Sequence, residues 1–178
     1  LLKYNTSIGD HSIDVLAGHE LSFSKDAVMS GEMSKIADPN SLEWGNAIKM
    51  DYMGSYTNEN AMQSALAQVN YIYGERYMLT ANYRADGSSK FAKGHRWGHF
   101  GSVGVGWMFT NEKFMEPASK ILRDGKLRLS WGMLGNQGIS ADLFNDQYNI
   151  EYVDGEIGYV WSYKGAKDIT WERTQTVD

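Results

Sequence analysis

The sequence predicts an all-β chain of antiparallel strands, and three observations lead there. Five segments alternate apolar and polar residues with a period of two, the pleat of a strand rather than the 3.6-residue turn of a helix. Two of these segments are separated only by Gly74-Glu75-Arg76, the length of a hairpin connection. The composition joins 19 Gly and 13% aromatic residues to 2 Pro, a mixture suited to sheets with tight bends. With 42% hydrophobic and 22% charged residues among 178, the chain is neither disordered nor fibrous and fills one modest domain without an internal linker.

Taken in order, Ser12–Ser24 sets Ile13, Val15, Ala17, His19, Leu21 and Phe23 against a more polar parity that includes Asp14, Glu20 and Ser22. Residues 27–63, with Met29, Gly31, Pro39, Asn40 and Gly54, read as a long loop of weak local structure and receive no function. Ala65, Ala67, Val69, Tyr71 and Tyr73 then oppose Leu66, Gln68, Asn70 and Ile72. Beyond the short connection, Tyr77, Leu79, Ala81, Tyr83 and Ala85 oppose Met78, Thr80, Asn82, Arg84 and Asp86. Asp86-Gly87-Ser88-Ser89 reads as a turn, with Gly supplying a positive φ and the polar side chains bonding the backbone. Val103, Val105, Trp107 and Phe109 oppose Ser102, Gly104, Gly106 and Met108, and Leu127, Leu129, Trp131 and Met133 oppose Lys126, Arg128, Ser130 and Gly132. Between these two, Asn111–Gly125 offers an N-cap at Asn111, acids at Glu112 and Glu116 and a stop at Gly125, which predicts a short helix or two. Gly135–Thr170 is a long polar loop whose Tyr148, Tyr152, Tyr159, Trp161 and Tyr163 are expected to pack on one another.

Alternation leaves two architectures open. A soluble β-rich module, such as a carbohydrate-binding one with its aromatics along a groove, turns its polar face outwards. A membrane barrel turns the polar face to a wet interior and the apolar face to lipid. No run of about 18 apolar residues exists to cross a bilayer as a helix, and the mean hydropathy of −0.46 does not speak against strands, whose signal is periodic. Tyr71, Tyr73, Tyr77, Trp107, Phe109 and Trp131 all fall on apolar parities, several beside connections, where a membrane-interface belt is expected. Connections of very unequal length, with Asp86–Arg96 and Gly135–Thr170 the long ones, also fit a barrel, while Asn111–Gly125 breaks the rule, being long where alternation of the strands places a short periplasmic turn. The start, Leu1-Leu2-Lys3, lacks an initiating Met and a signal-peptide pattern, as expected of a fragment.

Several chemistries are excluded. With no Cys there is no disulfide, thiol nucleophile or Cys-ligated zinc. A net charge of −5 and a pI near 5.4 argue against nucleic acid as partner. His95 and His99 stand four apart in a Gly-rich loop rather than on a helix, so no metal site is assigned. Gly101-Ser102-Val103-Gly104 is not a nucleophile elbow, and Gly101, Gly104 and Gly106 do not make a dinucleotide fingerprint. No catalytic residue and no cofactor is assigned.

Five blocks then occur in a characteristic order: Arg84-Ala85-Asp86-Gly87-Ser88-Ser89-Lys90-Phe91, Arg96-Trp97-Gly98, Phe100-Gly101-Ser102-Val103-Gly104-Val105-Gly106-Trp107, Glu112-Lys113-Phe114-Met115, and Lys126-Leu127-Arg128-Leu129-Ser130-Trp131-Gly132-Met133-Leu134-Gly135-Asn136. In these the chain resembles the SusC/RagA family of TonB-linked outer-membrane transporters. The match is best over residues 64–136, with echoes at Gly9–Gly18 and at Thr170-Trp171-Glu172-Arg173-Thr174, and it departs at Gly101, where the family usually places Pro. The resemblance implies that residues 1–178 are one partial barrel domain, a slice of a 22-stranded transmembrane β-barrel whose plug lies outside it. It implies long extracellular loops, a short helical periplasmic connection at 111–125 and a place in the bacterial outer membrane. It implies a non-enzyme that imports oligosaccharides or peptides under a SusD-like lipoprotein lid, with energy from the TonB complex. Gln68, Asn70, Thr80, Asn82, Arg84, Asp86, Lys126, Arg128 and Ser130 then become lumen-facing wall, because an Arg or Lys turned into lipid costs about 2–4 kcal/mol at the midplane.

Overall fold

The computed structural model describes residues 1–118 and 121–178. Among them the chain forms nine strands: β1 (Leu2–Ile8), β2 (His11–Ile36), β3 (Ala47–Tyr73), β4 (Tyr77–Ser88), β5 (Trp97–Trp107), β6 (Leu127–Asn136), β7 (Gln147–Val153), β8 (Glu156–Tyr163) and β9 (Glu172–Val177). Seven of these make an open antiparallel sheet in the order β1-β2-β3-β4-β5-β6-β9, and β7 and β8 make a separate hairpin. β4, β5 and β6 have 12, 11 and 10 residues, close to the roughly 9–11 that cross a bilayer as a tilted strand.

The predicted hairpin is present. Tyr73 pairs with Tyr77 across Gly74-Glu75-Arg76, where Gly74 and Glu75 both take a positive φ. The register then aligns parity with parity. Val69 stands opposite Ala81, Ala81 opposite Val103 and Val103 opposite Trp131, while Asn70 meets Thr80, Thr80 meets Gly104 and Gly104 meets Ser130. A slip of one residue would exchange the two faces entirely.

Two compact units divide the chain, one of residues 1–22 and 61–178 and the other Phe23–Asn60. The second corrects the expectation of a loop over 27–63. β2 continues to Ile36 and β3 begins at Ala47, joined by a short 3-10 turn at Trp44–Asn46. Most side chains of these arms are exposed on both faces, so no half-burial writes a period of two into the sequence. Cross-strand bonding holds them instead, with Lys25 donating to Glu59 at 2.6 Å, and Asn46 donating to the carbonyls of Asp38 and Ser41 at 2.7 and 2.8 Å to close the tip. Gly31 is required there because the Trp44 ring occupies the space of a Cβ.

In the larger unit, the Asp86–Ser89 turn is also corrected. β4 runs through Asp86, Gly87 and Ser88, and Gly87 pairs with Trp97 without a positive φ. Its missing side chain makes room for the Trp97 ring, which lies 3.0–3.1 Å from where a Cβ would stand. The loops at this end close a small core. Phe91, Phe100 and Trp171 are buried, the ring of Trp171 lying 5.3 Å from each of the other two. The Trp171 indole donates to the Arg96 carbonyl at 2.8 Å, and Gly98 leaves space for the Phe100 ring.

At the opposite end, the helical connection is two 3-10 stretches, Phe109–Asn111 and Lys113–Ala118. Asn111 caps neither: its amide donates to the Glu75 carbonyl at 3.0 Å. Gly125 is no helix stop, since the second stretch ends at Ala118, and Ser119 and Lys120 lie outside the described residues. Gly125 instead donates to Thr110 Oγ1 and abuts the Phe109 ring. The expected self-packing of the 135–170 aromatics is corrected too. Tyr148 pairs with Trp161, Ile150 with Tyr159 and Tyr152 with Ile157 on one exposed face of the β7–β8 hairpin.

Candidate functional site

The sheet of β3 to β6 has two chemically distinct faces, and their exposure is the reverse of a soluble domain's. Val69, Leu79, Val103, Val105, Leu127 and Leu129 share one face and are all exposed, Leu129 at 60%. On the other parity of β3 to β5, Asn70, Thr80, Asn82 and Ser102 are more covered and bonded to one another. Thr80 donates to Asn70 at 3.0 Å, Asn82 to Ser102 at 3.0 Å, and Arg84 to Asp86 at 2.6 Å and to Ser64 at 3.0 Å. Asp86 and Ser64 are buried, which these charge-assisted bonds make affordable. Arg84 also reaches Glu20 at 3.7 Å.

Every sequence-derived wall candidate from Gln68 to Asp86 lies on this polar face, with Arg128 and Ser130 opposite Gly106 and Gly104. Lys126 lies one residue before β6, against Gly106. Neither Lys126 nor Arg128 has a carboxylate partner among the described residues. The small residues Ser102, Gly104, Gly106, Ser130 and Gly132 keep the surface between them low.

The aromatic candidates separate. Tyr71, Tyr73, Tyr77 and Trp107 gather on the apolar face at the short-connection end of the sheet, Tyr73 stacked on Tyr77 at 6.3 Å. His11 joins them, 2.7 Å from the Tyr71 hydroxyl and 4.8 Å from the Tyr73 ring. Trp131 stands further along, opposite Val103 and Val177. Phe109 is corrected: β5 ends at Trp107, and Phe109 turns back to pack edge-on against the Trp107 ring at 6.1 Å. A residue expected only as an acid at a helix start organises this end. Glu112 accepts from the Tyr77 hydroxyl at 2.6 Å, the Trp107 indole at 3.1 Å and Arg76 at 3.1 Å. Those bonds, the Tyr77 hydroxyl first, hold its carboxyl below the ordinary carboxylate range.

Among the described residues no three His, Asp or Glu side chains form a metal-holding group. No helix is long and apolar enough to cross a membrane, which says nothing of strands.

Over 98% of its length the chain is 31% identical to the TonB-dependent receptor SusC of Bacteroides thetaiotaomicron, and over 99% it is 30% identical to the TonB-dependent receptor P3 of Formosa agariphila. The chain is homologous to a segment of these TonB-dependent receptors. It spans 18% of the length of each of these two relatives. No family model matches it. In fold it is similar to a chain of the RagAB peptide importer in the 'closed-closed' state, with a TM-score of 0.83 and 23% identity over 98% of this chain and 20% of that one. The 'open-open' state of the same importer gives the same score.

The blocks that carry the SusC/RagA resemblance are, in this structure, the parts that shape the ends of the sheet. Phe91, Trp97, Phe100 and Trp171 build the loop-end core and its cover, and Trp107 and Glu112 hold the turn end. The strands between them carry the two faces.

Proposed function

We propose that this segment is part of the wall of an outer-membrane importer, with its apolar face against lipid and its polar face towards a water-filled passage. The single observation that carries the reading is the exposure of an unbroken apolar face, Val103, Val105, Leu127 and Leu129, beside a hydrogen-bonded polar one. In water that face would be an aggregation hazard, whereas against hydrocarbon it is the required surface. The strands give the wall closure only when the edges at β1 and β9 are paired by further strands, and the 22-stranded barrel of the family supplies these.

In the working protein, Gln68, Asn70, Thr80, Asn82, Arg84, Asp86, Lys126, Arg128 and Ser130 offer donors and acceptors to water, plug and passing solute. They act as wall and perform no bond chemistry. Tyr71, Tyr73, Tyr77 and Trp107 sit at the bilayer interface, where ring bodies meet acyl chains and polar tips meet headgroups. The cargo class is oligosaccharide or peptide, in keeping with relatives named SusC and a peptide importer. A SusD-like lipoprotein acts as lid and the TonB complex supplies energy.

Affinity purification of the full-length protein from detergent-solubilised outer membranes, followed by solute uptake in cells with and without an uncoupler, tests this. The expected result is a co-purifying lipoprotein and uptake that stops when the proton gradient is dissipated. Recovery of the protein in the soluble fraction without detergent would overturn the reading.

A further inference from the structure

We propose that the start of the connection after β5, residues 111–118, is an interfacial anchor that lays Phe114 onto the phospholipid headgroups at the turn end of the sheet. This rests on the lipid-facing orientation proposed above and adds a surface that the strands do not themselves provide.

The direction of the connection follows from two bonds. Tyr77 and Trp107 both belong to the apolar parity, and both donate to Glu112. Residue 112 therefore stands over the apolar face, and the chain leaving β5 turns to that side rather than towards the polar one. Phe114 comes next, its ring 6.4 Å from that of Trp107, and it is 65% exposed. Leu127, paired with Trp107, is exposed on the same face, so Phe114 is continuous with the apolar band instead of isolated in water.

Electrostatics fit the same placement. A carboxylate beside hydrocarbon is costly unless bonded and paired, and Glu112 has two neutral donors and one cation within 3.1 Å. Lys113 and Arg123 have no carboxylate partner among the described residues and are exposed, which suits them to lipid phosphates. Ile121 and Leu122 add exposed apolar surface to the same connection. An aromatic beside an unpaired cation, contiguous with a lipid-facing sheet, is the composition of a segment lying in the interface, and the exposed acids Glu116 and Asp124 of the same connection belong on its water side.

The segment contains no Cys, so a single introduced Cys is its one label site, and the test uses the full-length protein, with any Cys elsewhere replaced by Ser, in phospholipid nanodiscs. Phe114→Cys and, as a second site, Lys113→Cys carry an environment-sensitive fluorophore, with Val103→Cys and Ser140→Cys as references. The expected result is a blue-shifted label at 114, quenched most by headgroup-level nitroxide lipids, at a depth of about 5–10 Å. Val103 should be quenched most by deep-chain nitroxides and Ser140 by neither. Labels at 113 and 114 that stay in bulk water, or are shielded from water and lipid alike, while Val103 is quenched overturn the anchor alone. Loss of quenching at Val103 overturns the underlying orientation instead.

Discussion

The two ends of the sheet use the same residue types for opposite purposes. At the loop end, Phe91, Phe100 and Trp171 are sealed against one another, and the one polar atom among their rings donates to a backbone carbonyl. At the turn end, Tyr77 and Trp107 lie on the apolar face and satisfy their hydroxyl and indole on a single carboxylate, Glu112. One end is a small protein core that fixes loops. The other is an amphipathic rim, apolar in body and polar at the tip, of the kind a bilayer interface selects. The difference teaches that aromatic content alone does not report burial, and that the partner of the polar tip does.

The largest expected effect lies in the loop-end core. Phe91→Ala empties a fully buried site and should cost about 3–5 kcal/mol, read as a lowered denaturation midpoint of the full-length protein in detergent. Next comes the face between the two ends. Val103→Arg should destabilise the bilayer-inserted protein by about 2–4 kcal/mol, whereas Ser130→Arg on the opposite face should leave folding nearly unchanged. Equal effects of the two substitutions would erase the distinction between faces.

The turn end sharpens the comparison through pH. Because the folded Glu112 carboxyl titrates below its ordinary value, its contribution is present above the unfolded value near 4.5 and is lost as pH falls through the lowered folded value. Glu112→Gln should therefore flatten the acid limb of a stability-against-pH curve and leave the neutral-pH unfolding of the loop end unaltered. The smallest effect is expected outside both ends, where Trp161→Ala on the exposed β7–β8 face should change stability by no more than about 0.5 kcal/mol.

The strands with two unlike faces were legible in the sequence, because a period of two exists only where the two sides meet different surroundings. That held for Tyr77–Asp86 and Val103–Trp107. It failed for the arms of β2 and β3 beyond Ser22 and before Ala61, where both sides meet solvent. β1 carried the signal unread: Leu2, Tyr4, Thr6 and Ile8 alternate with Lys3, Asn5 and Ser7 before a Gly9-Asp10 turn. So did β7 and β8, whose Asp154-Gly155 both take a positive φ in a two-residue hairpin turn. Asp86-Gly87-Ser88-Ser89 misled because its composition is that of a turn, while the need for Gly87 came from a ring on the neighbouring strand. The loop-end core and Glu112 were hidden for a different reason. Their partners lie on separate segments, and local pattern does not encode contacts across such distances in the chain.

The orientation of the two faces is tested most directly by spin labels at Val103→Cys and Ser130→Cys in the bilayer-reconstituted protein, comparing collision with oxygen, which concentrates in lipid, and with a polar nickel chelate, which does not. The account predicts that the label at 103 favours oxygen and the label at 130 favours the chelate. The reverse order, or two labels that respond alike, would contradict it.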